Sequence, residues 1–282
     1  MGLNSLKPRR NLATAADTNR GPSNAIWGRM PIDTILDDGS NGFFFREDWL
    51  KMPVLTTPTI TTQANYGNGW KAFGSAGGTA IGASITGGGG IVLTETDDNE
   101  GVFLQTIALP FKIDRGQGRQ AFEGRFKTNE VADTKHGFIF GLWDQQTLTA
   151  TVPIAAAGTL ADENFVGFHR LEGDGDQIDL VYKADGVTQV TVQADAIPTG
   201  LSLAADTFFK LGCLFEPYGI YGENYISFWY NGVYAGKKQI PDADGTDFPN
   251  DVNMALTFGM LCASADDAII TNDWIQGAGL YV

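Results

Sequence analysis

The chain has 282 residues, with 19 Lys+Arg against 33 Asp+Glu and a formal net charge of −14 at pH 7. Folding at this length removes roughly 75% of the unfolded surface from water, so a core can hold without a disulfide or a metal, and the acidic balance disfavours nucleic acid as a partner. Hydrophobic residues make up 43%, and 36 glycines, about twice the usual share, lie among β-branched and aromatic residues, which points to short strands joined by tight turns.

No apolar run approaches the roughly 18 residues a membrane helix needs, so no membrane partner is expected. The opening stretch MGLNSLKPRRNLATAADTNRGPSN has no apolar h-region, and Leu6 breaks the myristoylation pattern. Cys213 and Cys262 sit in apolar runs and read as small buried hydrophobes.

Residues 1–30 read as an extended basic arm without a core of its own. Lys7, Arg9, Arg10, Arg20 and Arg29 face only Asp17, while Pro8 and Pro22 discourage regular structure. Ile26, Trp27 and Met30 are apolar residues that a solvated tail would not need, so the arm is expected to dock on something. Residues 31–64 read as an irregular Pro/Thr-rich connection, in which Phe43, Phe44 and Phe45 cannot all face one side of a strand.

Residues 65–282 read as strands and turns. Strands are expected at 79–85, 90–96, 102–108, 120–128, 137–143, 164–171, 177–183, 187–193, 207–215, 225–230, 233–239, 254–261 and 268–276, separated by GGGG, DDNEG, GQG, EGDGD, KADG, NG and DADG. Asp185-Gly186 and Asn231-Gly232 supply the positive-φ positions of two-residue hairpin loops. DDNEG reads as a further hairpin turn, between IVLTET and GVFLQT. Strands at this spacing make an all-β antiparallel two-sheet sandwich.

Four segments in order, TDDNEGVFLQT…PF, QAFEGRFKTNEVADTKHGFIFGLWD, FFKLGCLFEP…ISFWYNG and MALTFGML…TNDWI, resemble the concanavalin A-like (laminin G-like) jelly roll, particularly the versions found in tailed-phage virion proteins. The resemblance covers residues 65–282. It implies a structural virion protein, made in the host cytoplasm and placed on the outer capsid surface as a decoration or cement protein. Its partners would be the major capsid protein and neighbouring copies of itself, gripped by Lys7, Arg9, Arg10, Arg20, Ile26, Trp27 and Arg29. The alternative is a carbohydrate-binding, lectin-like module on a phage surface or fibre, with Trp49 and Trp70 as the glycan-contacting aromatics.

Glu95-Thr-Asp97-Asp-Asn-Glu100 matches the ExDxxE pattern of laminarinase-like glycoside hydrolases that share this jelly roll. The resemblance would make Glu95 the nucleophile, Asp97 its partner and Glu100 the acid/base. The polar residues between them offer nothing to bury the acid and raise its pKa, so no enzyme is expected. No cofactor is expected either. Asp174, Asp176 and Asp179 are weak calcium candidates, but their spacing is not that of an EF-hand and the bidentate glutamate is missing. Asp242, Asp244 and Asp247 read as a second solvated acidic loop, and His136 and His169 as structural residues.

Overall fold

A computed structural model of the chain describes residues 19–50, 64–67, 69–74, 80–83, 89–108, 111–113, 117–131, 136–144, 153–155, 159–171, 173–217, 224–240, 247–250, 252–264 and 268–281. Two antiparallel sheets lie face to face. Sheet A runs, in spatial order, β17 (Val233–Gln239), β16 (Tyr225–Tyr230), β15 (Phe209–Glu216), β8 (Gln120–Thr128), β19 (Ala268–Leu280), β5 (Ile91–Glu95) and β4 (Ala80–Ala83), with β1 (Gly42–Glu47) beside the C-terminal half of β19. Sheet B runs β14 (Val190–Gln193), β13 (Asp179–Lys183), β12 (Phe165–Arg170), β9 (His136–Asp144), β18 (Asn253–Cys262), β6 (Gly101–Thr106), β3 (Trp70–Gly74) and β2 (Ala64–Gly67), with β7 (Phe111–Lys112) on the start of β18. A small hairpin, β10 (Ile154–Ala155) with β11 (Thr159–Leu160), stands apart from both.

Alternation along the strands fills the space between the sheets. Phe122 and Phe126 of β8 meet Phe138 and Phe140 of β9, with ring centroids as close as 4.8 Å for Phe126–Phe140. Edge-to-face and tilted pairs of this kind add to the roughly 1.5–3 kcal/mol that burial of each such side chain contributes. Each strand expected from sequence is present within a few residues of its bounds, and β8, β16 and β17 match them. β1, β2, β3, β7, β10 and β11 fall outside the expected strands.

Two turn readings are corrected. The link from β5 to β6 is not a hairpin: β5 pairs with β19 in sheet A, and β6 pairs with β18 in sheet B. Cys262 accepts from the Asn99 N–H and donates its own to Glu100, so DDNEG is drawn to the end of β18 and carries the chain across the sandwich. Asn231-Gly232 closes β16–β17 as expected, with φ of 48° and 72°. Asp185-Gly186 instead sits in a longer loop: Tyr182 pairs with Val190, and the turn is tied outward to Asp162 and Asn164.

Of the arm expected over residues 1–30, residues 19–30 are described, and these turn back onto the sandwich and are not extended; residues 1–18 lie outside the described residues. The segment from Asn19 onward forms α1 (Asn24–Trp27) and α2 (Ile32–Asp37), which lie on the outer face of sheet A as a third layer. Ile26, Met30 and Ile35 are buried against Ala121, Leu214, Trp229 and Ala278. Ile26 fills the gap over Gly212, where a Cβ would come within 2.3 Å of its Cδ1. Charge pins the segment as well. Arg20 grips Asp273 through both carboxylate oxygens, and Arg125 holds the same carboxylate at 2.6 Å. Glu123 accepts from the Ser23 N–H at 2.9 Å and from the Trp27 indole at 2.6 Å, and Lys210 donates to the Gly21 carbonyl. Burial pushes the Glu123 carboxyl above its ordinary range, against those donors and the Lys210 charge.

Two outcomes follow from these contacts. The Asp273 side chain is 3% exposed and that of Arg20 is 46% exposed. Asp273→Ala leaves Arg125 without its counter-ion and should cost about 3–5 kcal/mol, whereas Arg20→Ala should cost about 1 kcal/mol or less; urea unfolding of the two variants measures the difference.

His136, at the start of β9, is held down to a pKa of about 3 by burial, with the Arg170 charge adding. Below pH 6.5 the unfolded chain takes up this proton and the folded chain does not, so stability drops as pH falls from 6.5 towards 3. Between pH 7 and 4.5 this one group should account for a loss of about 2–3 kcal/mol. Denaturant titrations at the two pH values should show a correspondingly smaller loss in His136→Asn.

Candidate functional site

Of the residues expected to grip a capsid, Arg20, Ile26, Trp27 and Arg29 are engaged by the chain's own sheet A, and Lys7, Arg9 and Arg10 lie outside the described residues. The proposed glycan aromatics are corrected. Trp49 is 3% exposed and Trp70 2%, and they pack on each other at 5.3 Å inside the core. The Trp49 indole donates to Asn272 at 2.6 Å. Neither ring face is open to a sugar.

Glu95 is fully buried, and its carboxylate accepts from the Thr96 and Asp97 backbone N–H groups, while Asp97 itself points to solvent. Retaining hydrolysis needs two carboxyl groups about 5–5.5 Å apart across an accessible bond, and a sealed Glu95 does not reach one. On the outer face of sheet B, Asp179 of β13 stands opposite His169, and its carboxylate accepts from the Asp195 N–H. From β9 and β12 that face presents Gly137, Ile139, Gly141, Trp143, Phe165, Gly167 and His169, without a carboxylate. Its apolar members are covered by Ile154 and Leu160 of the β10–β11 hairpin.

The acidic triplet is divided among local partners. Asp174 accepts from the Leu171 N–H at 2.7 Å and lies 3.7 Å from His169; burial works against its ionised form, but these contacts hold its pKa below the usual range. Asp179 accepts from the Asp195 N–H at 2.8 Å, and Asp176 is exposed. Among the described residues no three His, Cys, Asp or Glu side chains stand together as metal ligands. Asp242 and Asp244 lie outside the described residues.

Among the described residues, a strip on the outer face of sheet A, over β15, β16 and β17 and beside α1, is open. Register places Trp229 opposite Tyr234, and Glu216 opposite Tyr225. Trp229 is buried, and its indole supports Tyr234 edge-on at 5.9 Å, leaving the tyrosine 41% exposed. The Arg29 guanidinium lies 5.6 Å over Trp229 and reaches Glu216 at 3.4 Å. Arg119 stands 3.8 Å from the other Glu216 oxygen and donates to the Arg29 carbonyl at 3.1 Å. Lys237 sits 4.1 Å over the Tyr225 ring. Burial raises the Tyr234 phenol above its ordinary pKa, opposed by Arg29 and reinforced by Glu216. Sequence reading found Arg29 here but missed Tyr234, Glu216 and Arg119. The available signal was Tyr234 on a strand that also carries Lys237 and Lys238, the mark of an exposed edge.

No protein-family model matches the chain, and no curated protein does. Solved structures do. A protein of unknown function from Shewanella oneidensis MR-1 is 11% identical, with 89% of this chain and 95% of that one covered at a TM-score of 0.54. A glycoside hydrolase family 16 protein of the Bacteroides ovatus mixed-linkage glucan locus, caught with a product, is 10% identical over 83% of this chain and 99% of that one, at 0.52. Peanut lectin is 12% identical over 86% and 99%, at 0.49. The likeness is one of fold, and the chain has the antiparallel jelly-roll sandwich of the concanavalin A-like type.

Proposed function

We propose that the chain is a carbohydrate-binding module that takes a saccharide on the open strip of sheet A. The observation that carries this reading is Tyr234, an exposed ring packed edge-on against buried Trp229, over which lies Arg29, itself tied to Glu216 and Arg119. A pyranose has an apolar C–H face and a rim of hydroxyls. An exposed aromatic ring matches the first at small entropic cost, and planar charged groups match the second. The same jelly roll carries a glucan product in the Bacteroides protein, so the architecture can serve sugars, while the place on this chain is argued from its own side chains.

Tyr234→Ala should weaken binding of any saccharide the protein takes by about tenfold or more. The melting temperature should shift by no more than a few degrees, because the ring is half outside the fold. A glycan array followed by calorimetry on the hits measures both. Unchanged affinity in the variant overturns this placement.

A second reading, capsid decoration, is favoured by the concentration of bases before Asn19. With Arg20, Ile26, Trp27 and Arg29 engaged internally, attachment falls to Lys7, Arg9 and Arg10. Co-sedimentation with virus-like particles that disappears when residues 1–18 are removed supports it, and equal co-sedimentation overturns it.

A further inference from the structure

We infer that the open strip of sheet A selects anionic saccharides, those bearing a carboxylate or sulfate, over neutral ones. This rests on the carbohydrate reading above and names its substrate class.

Two half-exposed guanidinium groups on the strip keep unspent donors. Each guanidinium presents about five N–H groups in a rigid fork suited to a carboxylate or sulfate. Arg29 spends one of its donors on Glu216 at 3.4 Å, a long contact. Arg119 spends one on the Arg29 carbonyl at 3.1 Å and stands 3.8 Å from Glu216 without a hydrogen bond to it. One carboxylate is thus stretched between two cations, and the remaining donors of both half-exposed side chains have no protein acceptor among the described residues.

Charge on the strip runs against that of the whole molecule. The chain carries −14, yet Arg29, Arg119 and Lys237 on this face are set against Glu216 alone among the paired groups described here. At physiological ionic strength fields decay over about 8 Å, so an anion seated on the strip responds to these neighbours far more than to distant acidic loops. Position completes the case. Arg29 lies over Trp229, which in turn packs edge-on against Tyr234. A ring stacked on Tyr234 therefore brings an acidic substituent towards the half-exposed Arg29 fork, whose remaining donors form a charge-assisted contact with it.

The test uses the full chain and three probes of equal length: an oligogalacturonate, a sulfated oligosaccharide and a neutral glucan, each titrated calorimetrically at low and high NaCl. The acidic probes should bind about tenfold or more tighter than the neutral one, with the advantage shrinking at high salt. Arg29→Gln combined with Arg119→Gln should bring the acidic probes down to the neutral value. Glu216→Gln, which frees both guanidinium groups, should raise acidic affinity, an effect that a purely structural ion pair would not give. Comparison of the two acidic probes tells which anion the fork prefers. Equal binding of acidic and neutral probes overturns this inference while leaving the carbohydrate reading in place, and absence of binding by all three overturns the carbohydrate reading itself.

Discussion

The outer face of sheet A is too apolar to stand in water. Ala121, Leu214, Trp229 and Ala278 point away from the main core, and a sandwich supplies only one interior. The chain meets this constraint with its own N-terminal segment, which lays Ile26, Met30 and Ile35 across the four residues and closes over the buried carboxylates of Glu123 and Asp273. That covering decides what the first half-turns of the chain are for. It also decides, by where it stops, which part of the sheet stays open. Beside α1 the cover ends, and Tyr234 with its charged neighbours is what it leaves uncovered.

Sheet B solves the same problem differently. Its outer face is levelled by glycines, with Gly141 opposite Gly167 on β9 and β12, where a Cβ on either would come within 2.7 Å of the other's Cα. Phe165 lies over that pair and Phe103 over Gly259, so aromatic rings take the space that side chains on the glycines would have filled. The β10–β11 hairpin then shields Trp143 and Phe165. Each face of the sandwich is therefore partly covered from within the chain, sheet A by a leading segment and sheet B by the β10–β11 hairpin.

The strands were legible because alternation and turn residues are local signals. Asn231-Gly232 needs no partner to specify its hairpin, since both residues favour positive φ. The crossing from β5 to β6 was not legible, because its course depends on Cys262, far along the chain, pairing with Asn99 and Glu100. β1 escaped for a related reason: Phe43 and Phe45 face the core and Phe44 faces α1, so the strand is apolar on both sides and shows no period. The described part of the basic leader reads as extended by composition, and its contact with sheet A is what buries Ile26 of α1 and Met30 after it, followed by Ile35 of α2.

Site residues were harder to read than strands because exposure is a tertiary property. Trp49 and Trp70 lie outside the expected strands, where an aromatic looks available; β3 and the Asn272 amide draw them inside. Trp229 reads as core from its strand, and it is buried, yet it lies on the outer face, edge-on to the exposed Tyr234. The edge of a buried indole beside an exposed phenol narrows the positions that phenol can take. The leader segment supplies Arg29 to that same strip. The packing that keeps sheet A out of water and the arrangement that gives the strip its charge are thus one event in the fold, and loosening the leader would disturb both.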